Sequence, residues 1–521
     1  MFPRLKNTFH DMLRNLRVKG RGSAIGRACG SVGILLLALT LVPLSSWAQQ
    51  GKVVVQSSEQ LFCVLAALND AGYDAGAGID TGSRTREALR ADLAGKQIPV
   101  LPEIRKFYEA HKIAGHPGHN LGQYISLALL LGPPPDFNFT VALTDLPPDA
   151  RNVAGLVPLL RTFYKQADLA DLWARASVDS QTAIERYSPP VRRAIELTDA
   201  YLRFPAGAYL GRTYTIYLDL LGAPNQVQGR IYGSHYYLVI TPSKKLRIHD
   251  IRYYYLHFLL DPLAVKYAPE IHQAIALEAM ARKAPELRSD FKNDFTLLVT
   301  ECLIRAIEIR MDQVPAAQAM KQVQQLTASG FILVPYFYNS LLQYEKQDAS
   351  MTVYYQQMIE GIKPSKVMGD LAGVRFSKPA PQAAPAPELS ETEQLLDQGD
   401  NDIYAGKYED AEVAFQRVLK RNPHSERALF GMAVAASNMR KPDIARKYFE
   451  ETLSVAHNLR IVTWSHIYLG RLDDVNGDRK KALAQYRAAS LTAGAYPEAV
   501  RAVQTGLREP FGLEFQPPPG H

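Results

Sequence analysis

The sequence predicts an α+β domain, mostly helical with a small sheet, followed by an all-α helical array. Three observations carry that expectation. Strand-like texture is confined to YTIYLDLLG (Tyr214–Gly222) and RIYGSHYYLVITP (Arg230–Pro242), where aromatic or β-branched residues alternate with polar ones around the turn-rich GAPNQVQG. Apolar blocks of helical length surround that neighbourhood. Beyond residue 390, small and aromatic residues recur at fixed spacing through three copies.

Residues 1–48 carry seven of the chain's 59 Lys and Arg but one of its 52 Asp and Glu. The basic stretch leads into VGILLLALTLV (Val32–Val42) and then Ser46-Trp47-Ala48, the pattern of a secretory signal peptide. Its apolar core is short for a permanent span, although the long basic stretch leaves an uncleaved anchor as the alternative. Without the leader the chain is nearly neutral, so its high pI argues for no nucleic acid or anionic membrane partner. The expectation is an exported protein, periplasmic or extracellular, with no stable membrane span after signal cleavage. Cys63 and Cys302 each sit in an apolar run, FCVLAAL and ECLIRAI, and read as two buried thiols, with a disulfide between them the alternative that export permits.

The region 49–376 opens with SSEQLFCVLAALNDAGYDAG, an amphipathic helix running into glycine-rich turns. Helical patterns follow at Leu121–Leu131 and Val157–Trp173, then the two strand-like segments. HDIRYYYLHFLLDPL reads as helix, as do Asn293–Met311 and Phe331–Gln347. SKPAPQAAPAPELSETE (Ser377–Glu393) supports neither helix nor central strand, so 377–390 is an extended spacer.

In the region 391–508, Gly399, Ala411 and Phe415 recur as Ala433, Ala445 and Phe449, then as Gly470, Ala482 and Tyr486. The copies are displaced by 34 and then 37 residues, the extra three assigned to a longer loop around His457–Ile461. Gly406 and Gly477 stand at inter-helix turns, Pro423 closes the first copy, and AYPEAVRAVQTGL (Ala495–Leu507) is a capping helix ahead of a tail, 509–521. This pattern resembles the tetratricopeptide repeat. The repeated residues are core packing. The resemblance implies a concave surface that binds a peptide or another protein, or an array that caps or dimerises its own protein.

In the first region the order of elements resembles the gluzincin class of zinc metallopeptidases: a strand pair, a helix with one histidine, then a helix carrying Thr300-Glu301-Cys302. In that class an HExxH helix supplies two histidine ligands and a general-base glutamate, and a later helix supplies a third ligand. The resemblance puts the second histidine at His257 and the third ligand at Glu301. Tyr253 stands where the first histidine belongs and Tyr254 where the glutamate belongs. A phenol with a pKa of about 10 is a poor base at neutral pH. One histidine and one carboxylate are too few for a tetrahedral zinc site. The resemblance therefore implies a degenerate domain without cofactor, His257 and Glu301 being vestigial metal positions and Tyr253 and Tyr254 cleft contacts. Its partner would be a protein or peptide laid along an edge strand, with YGSHYYLVITP the candidate.

Two alternatives stand beside this one. A zinc-dependent metallopeptidase with an atypical ligand set would draw on His249, His257 and Glu301. An unrelated α+β domain would use His257 as a hydrogen-bonded core residue and Glu301, Arg305 and Glu308 in surface ion pairs. The other histidines offer less: His235 lies in a strand, and His111, His116 and His119 share a Gly- and Pro-containing loop. Phosphate-loop, dinucleotide and nucleophile-elbow motifs are missing from the sequence.

Overall fold

The computed structural model describes residues 53–73, 83–113, 117–204, 211–224, 226–377 and 391–512. The leader 1–48, His116 and the side chain of His119, the spacer beyond Ser377 and the tail beyond Gly512 lie outside the described residues.

The chain is mostly helical with one four-stranded mixed sheet. Its strands are β1 (Val53–Gln56), β2 (Thr213–Leu218), β3 (Val227–Tyr232) and β4 (His235–Ile240), in the order β1-β2-β4-β3. β1, β2 and β4 run parallel, and β3 runs antiparallel to β4. Two sequence expectations are corrected here. The segment Arg230–Pro242 spans both arms of a hairpin, because Gly233 turns the chain at φ +58. The candidate edge YGSHYYLVITP forms β4, which is interior; the edge on that side is β3. β1, too short for its alternation to stand out, was not legible.

Alternation along the strands separates two cores. Tyr214, Ile216 and Leu218 join Tyr236, Leu238 and Ile240 on one face. Tyr217, Tyr237 and Val239 pack on the other, against helices that include α1 (Glu59–Ala71), whose N-terminus is capped by the Ser58 hydroxyl accepting from the Leu61 N–H. Cys63 belongs to the second core and Cys302 to the first, and both are buried free thiols. The long segment from Val157 breaks at Asp168, where φ is +53, and continues as α2 (Leu169–Leu202).

The first face is covered by α3 (Ile248–Lys266) and α4 (Phe295–Met311). Tyr255 and Phe258 of α3 meet Tyr214 at ring distances of 5.4 and 5.5 Å, which fixes the roll of the helix. Pro262 within α3 has no N–H for the carbonyl of Phe258, and the Arg212 guanidinium donates to that carbonyl instead.

The C-terminal region forms three antiparallel helix pairs and a closing helix. These are α5 (Glu391–Tyr404) with α6 (Tyr408–Arg421), α7 (Glu426–Asn438) with α8 (Pro442–Val455), α9 (Leu459–Val475) with α10 (Arg479–Ser490), and α11 (Pro497–Arg508). Small residues face aromatics as the spacing requires. A Cβ on Gly399 or Gly431 would lie 2.5 or 2.4 Å from the Phe415 ring, so that ring is clasped between two helix backbones. Gly406 and Gly477 make the turns at φ +74 and +79. The extra three residues of the last copy are not in a loop. α9 has 17 residues against 13 in α7, and the connection before it, 456–458, is one residue shorter than 422–425. No helix among the described residues is long and apolar enough to cross a membrane.

The described residues of both regions form one compact unit. Glu498 of α11 accepts from the Thr296 hydroxyl at 3.0 Å, at the N-terminus of α4. Arg460 of α9 donates to the Asn293 carbonyl. Gly494 lies so close to β3 that a Cβ there would meet Ile231 Cγ2 at 2.3 Å.

Candidate functional site

Tyr253, His257 and Asp261 fall at i, i+4 and i+8 of α3, on one face. Glu301 of α4 stands opposite them and is fully buried. The structure thus brings His257 and Glu301 together across the two helices, with Tyr253 beside them.

One Glu301 oxygen, Oε2, accepts from the Tyr253 hydroxyl at 2.9 Å and lies 3.3 Å from His257 Nε2. The other, Oε1, is 2.6 Å from Nη2 of Arg305, one helical turn along α4. His257 Nδ1 lies 3.0 Å from Asp261 Oδ1. Burial opposes a charge on His257, but the Asp261 carboxylate, followed by Glu301, outweighs it and pushes the imidazolium pKa up to about 10. Burial likewise raises the Glu301 carboxyl, and the His257 hydrogen bond together with the Arg305 charge reverses this, holding it below the ordinary value. Burial, reinforced by the neighbouring Glu301 charge, pushes the Tyr253 phenol up, which keeps it a donor at neutral pH. Both imidazolium nitrogens donate, one to each acid.

Zinc is the metal the gluzincin resemblance implies, and these residues do not fit it. Asp261 and Glu301 occupy opposite nitrogens of one imidazole, so the three groups run in a line and do not converge on a point. The carboxylate expected as a ligand is already committed to a guanidinium and a phenol. Among the described residues, no group of three or more His, Cys, Asp or Glu side chains is arranged to hold a metal ion.

Tyr254 turns away from this cluster. Its ring covers Gly229 of β3, where a Cβ would lie 2.5 Å from Cε1. His249, in the first turn of α3, does not join His257; its Nε2 is 3.2 Å from Glu308. The set His249, His257 and Glu301 is therefore not assembled. Glu301 does pair with Arg305, as the i,i+4 spacing predicts, but from a buried position, and Glu308, also buried, lies against His249 and Arg252. Burial pushes Glu308 up to about 7 and pulls His249 down. His235, at the start of β4, contacts the Thr213 hydroxyl at 2.9 Å, and His111 stacks on Phe107 at 3.9 Å.

A cavity of about 240 Å³ opens beside the cluster. Tyr253, Tyr254 and His257 form one wall, and β3 and β4 another. Leu459, Leu491, Thr492 and Tyr496, all from the C-terminal array, close it. Sequence reasoning missed Asp261 and this third wall, and it named Arg305 only as a surface partner of Glu301. Asp261 carried a signal, an acid four residues after His257. The wall carried none, because it depends on how two distant segments dock. Compared with protein-family models, curated proteins and solved structures, the chain matches none of them.

Proposed function

We propose that this is an exported protein that holds a polypeptide partner in a peptidase-like cleft without cutting it, with a tetratricopeptide-type array completing the cleft. The observation that carries this reading is the fate of Glu301. In a gluzincin its counterpart would face a metal; here it is neutralised by His257 and Arg305 and hydrogen-bonded by Tyr253. Such a cluster has no free base to activate water, and it makes a rigid floor for a cavity. Support for a bound chain comes from β3, an edge strand whose residues 229–232 line that same cavity. The array's contact at Glu498 supports a role in shaping the cleft, beside any use of its own concave face.

The test is direct. Purified mature protein is mixed with an unfolded polypeptide such as casein, and both association and cleavage are followed. Association with the casein chains left intact supports the reading; no association removes it. Stoichiometric zinc in the purified protein would favour the alternative of a zinc-dependent metallopeptidase with an atypical ligand set.

A further inference from the structure

Each charge on the wall of the cavity beside His257 has a partner within the protein, although the Arg288 side chain stays 72% exposed. His257 is held between Asp261 and Glu301. Arg288 Nη2 lies 2.7 Å from Asp290 Oδ2. Arg230 donates to the Ser126 hydroxyl at 2.8 Å and to the Gly122 carbonyl at 2.9 Å, with Asp149 at 3.8 Å. A charged group settling beside His257 would exchange its hydration for wall charges that are already paired, an unfavourable exchange. The rest of the lining is mostly apolar: seven tyrosines, Phe291, Ile231 and three leucines, with Gly229 and Thr492.

Size narrows the occupant further. The cavity of about 240 Å³ lies below the range of roughly 300–1,000 Å³ that suits whole drug-sized ligands. It matches one large side chain.

We infer that this cavity receives a single large uncharged side chain, aromatic or branched aliphatic, from a bound polypeptide, and that the C-terminal array supplies the wall that selects it. This rests on the polypeptide-holding reading above and adds the chemistry of the residue it selects. The occupant displaces water from between Tyr254 on α3 and Leu459 and Tyr496 on the array, while its backbone runs toward β3. Selection is by exclusion: lysine and aspartate side chains find no partner, and small side chains leave the cavity part empty.

The full chain is titrated with N-acetyl amides of phenylalanine, leucine, alanine, lysine and aspartate, followed by saturation-transfer NMR, with casein association measured separately. The phenylalanine and leucine amides are expected to bind at least tenfold more tightly than the other three. Leu459→Trp and Leu491→Trp, which fill the cavity from the array side, are each expected to weaken that binding tenfold or more, with melting temperature as the check on folding. Equal binding of the lysine or aspartate amide, no binding of any amide, or undiminished binding in both folded variants overturns the inference. Should neither variant fold, the ranking of amides by the unaltered chain decides alone. Selective amide binding without casein association leaves the cavity assignment standing and removes the polypeptide-holding reading.

Discussion

The Tyr253 hydroxyl donates to the Glu301 carboxylate across 2.9 Å, joining the helix that carries His257 to the helix that carries the buried acid. Around that contact His257 and Arg305 neutralise the acid, so the centre of the cleft is a closed polar network.

Removing the acid should be costly. Glu301→Ala leaves His257 with one partner and Arg305 with none at this position, and loss of one member of a buried pair costs about 3–5 kcal/mol. Denaturant unfolding of the variant against the parent checks this. A loss under about 1 kcal/mol would mean the network is solvated and weak.

The imidazolium gives the network a pH signature. The His257 pKa rises from 6.5 to about 10 on folding, so its contribution is fully present below pH 6.5 and is lost as pH climbs through about 10. Within that window stability should fall by about 1.4 kcal/mol per pH unit from this group. His257→Gln should flatten the slope. Melting temperatures of both proteins from pH 6 to 10 make the comparison.

The junction between the regions has the opposite chemistry. Asp294 caps α4 and is buried, and burial, with the Glu498 charge added, outweighs Arg460 to push it up to about 7 from 3.8. A carboxyl raised on folding stabilises the folded form at low pH. That advantage is full below 3.8 and disappears as pH rises through about 7. Docking of the array should therefore tighten on acidification, and Glu498→Gln, which keeps an acceptor for Thr296, should hold it tight at neutral pH. Hydrogen-exchange protection factors at the start of α4, corrected for the intrinsic pH dependence of exchange, read both effects, with greater protection expected at pH 5 than at pH 7.5 in the parent alone.

The array's packing is testable at one ring. Gly431→Ala places a methyl 2.4 Å from Phe415, an overpacking that costs about 1–3 kcal/mol. Gly406→Ala, with nothing closer than 4.0 Å, costs only the strain of its φ of +74. A larger loss of thermal stability in the first variant than in the second is expected.

Sequence legibility followed the range of the interactions. Phe415 and Tyr486 were readable because their partners recur at fixed short spacing, and α3 and α4 because their apolar runs are long. That Tyr253, His257 and Glu301 gather in one place was legible only through order and resemblance, since 44 residues separate the last two. The edge strand was misassigned because β3 and β4 share one alternating pattern and only Gly233 marks the turn between them. Neither Asp294 nor Glu498 announces an interface. They are ordinary helix-terminal acids until the array brings them to the same helix end.

On the proposed reading the centre of the cleft holds a chain and does not hydrolyse it. Casein incubated with the purified chain at pH 7, with and without a chelator, and read by mass spectrometry, tests that claim most directly. Full-length casein recovered in both arms, bound to the protein, is the result expected. New peptide fragments that the chelator abolishes would contradict it.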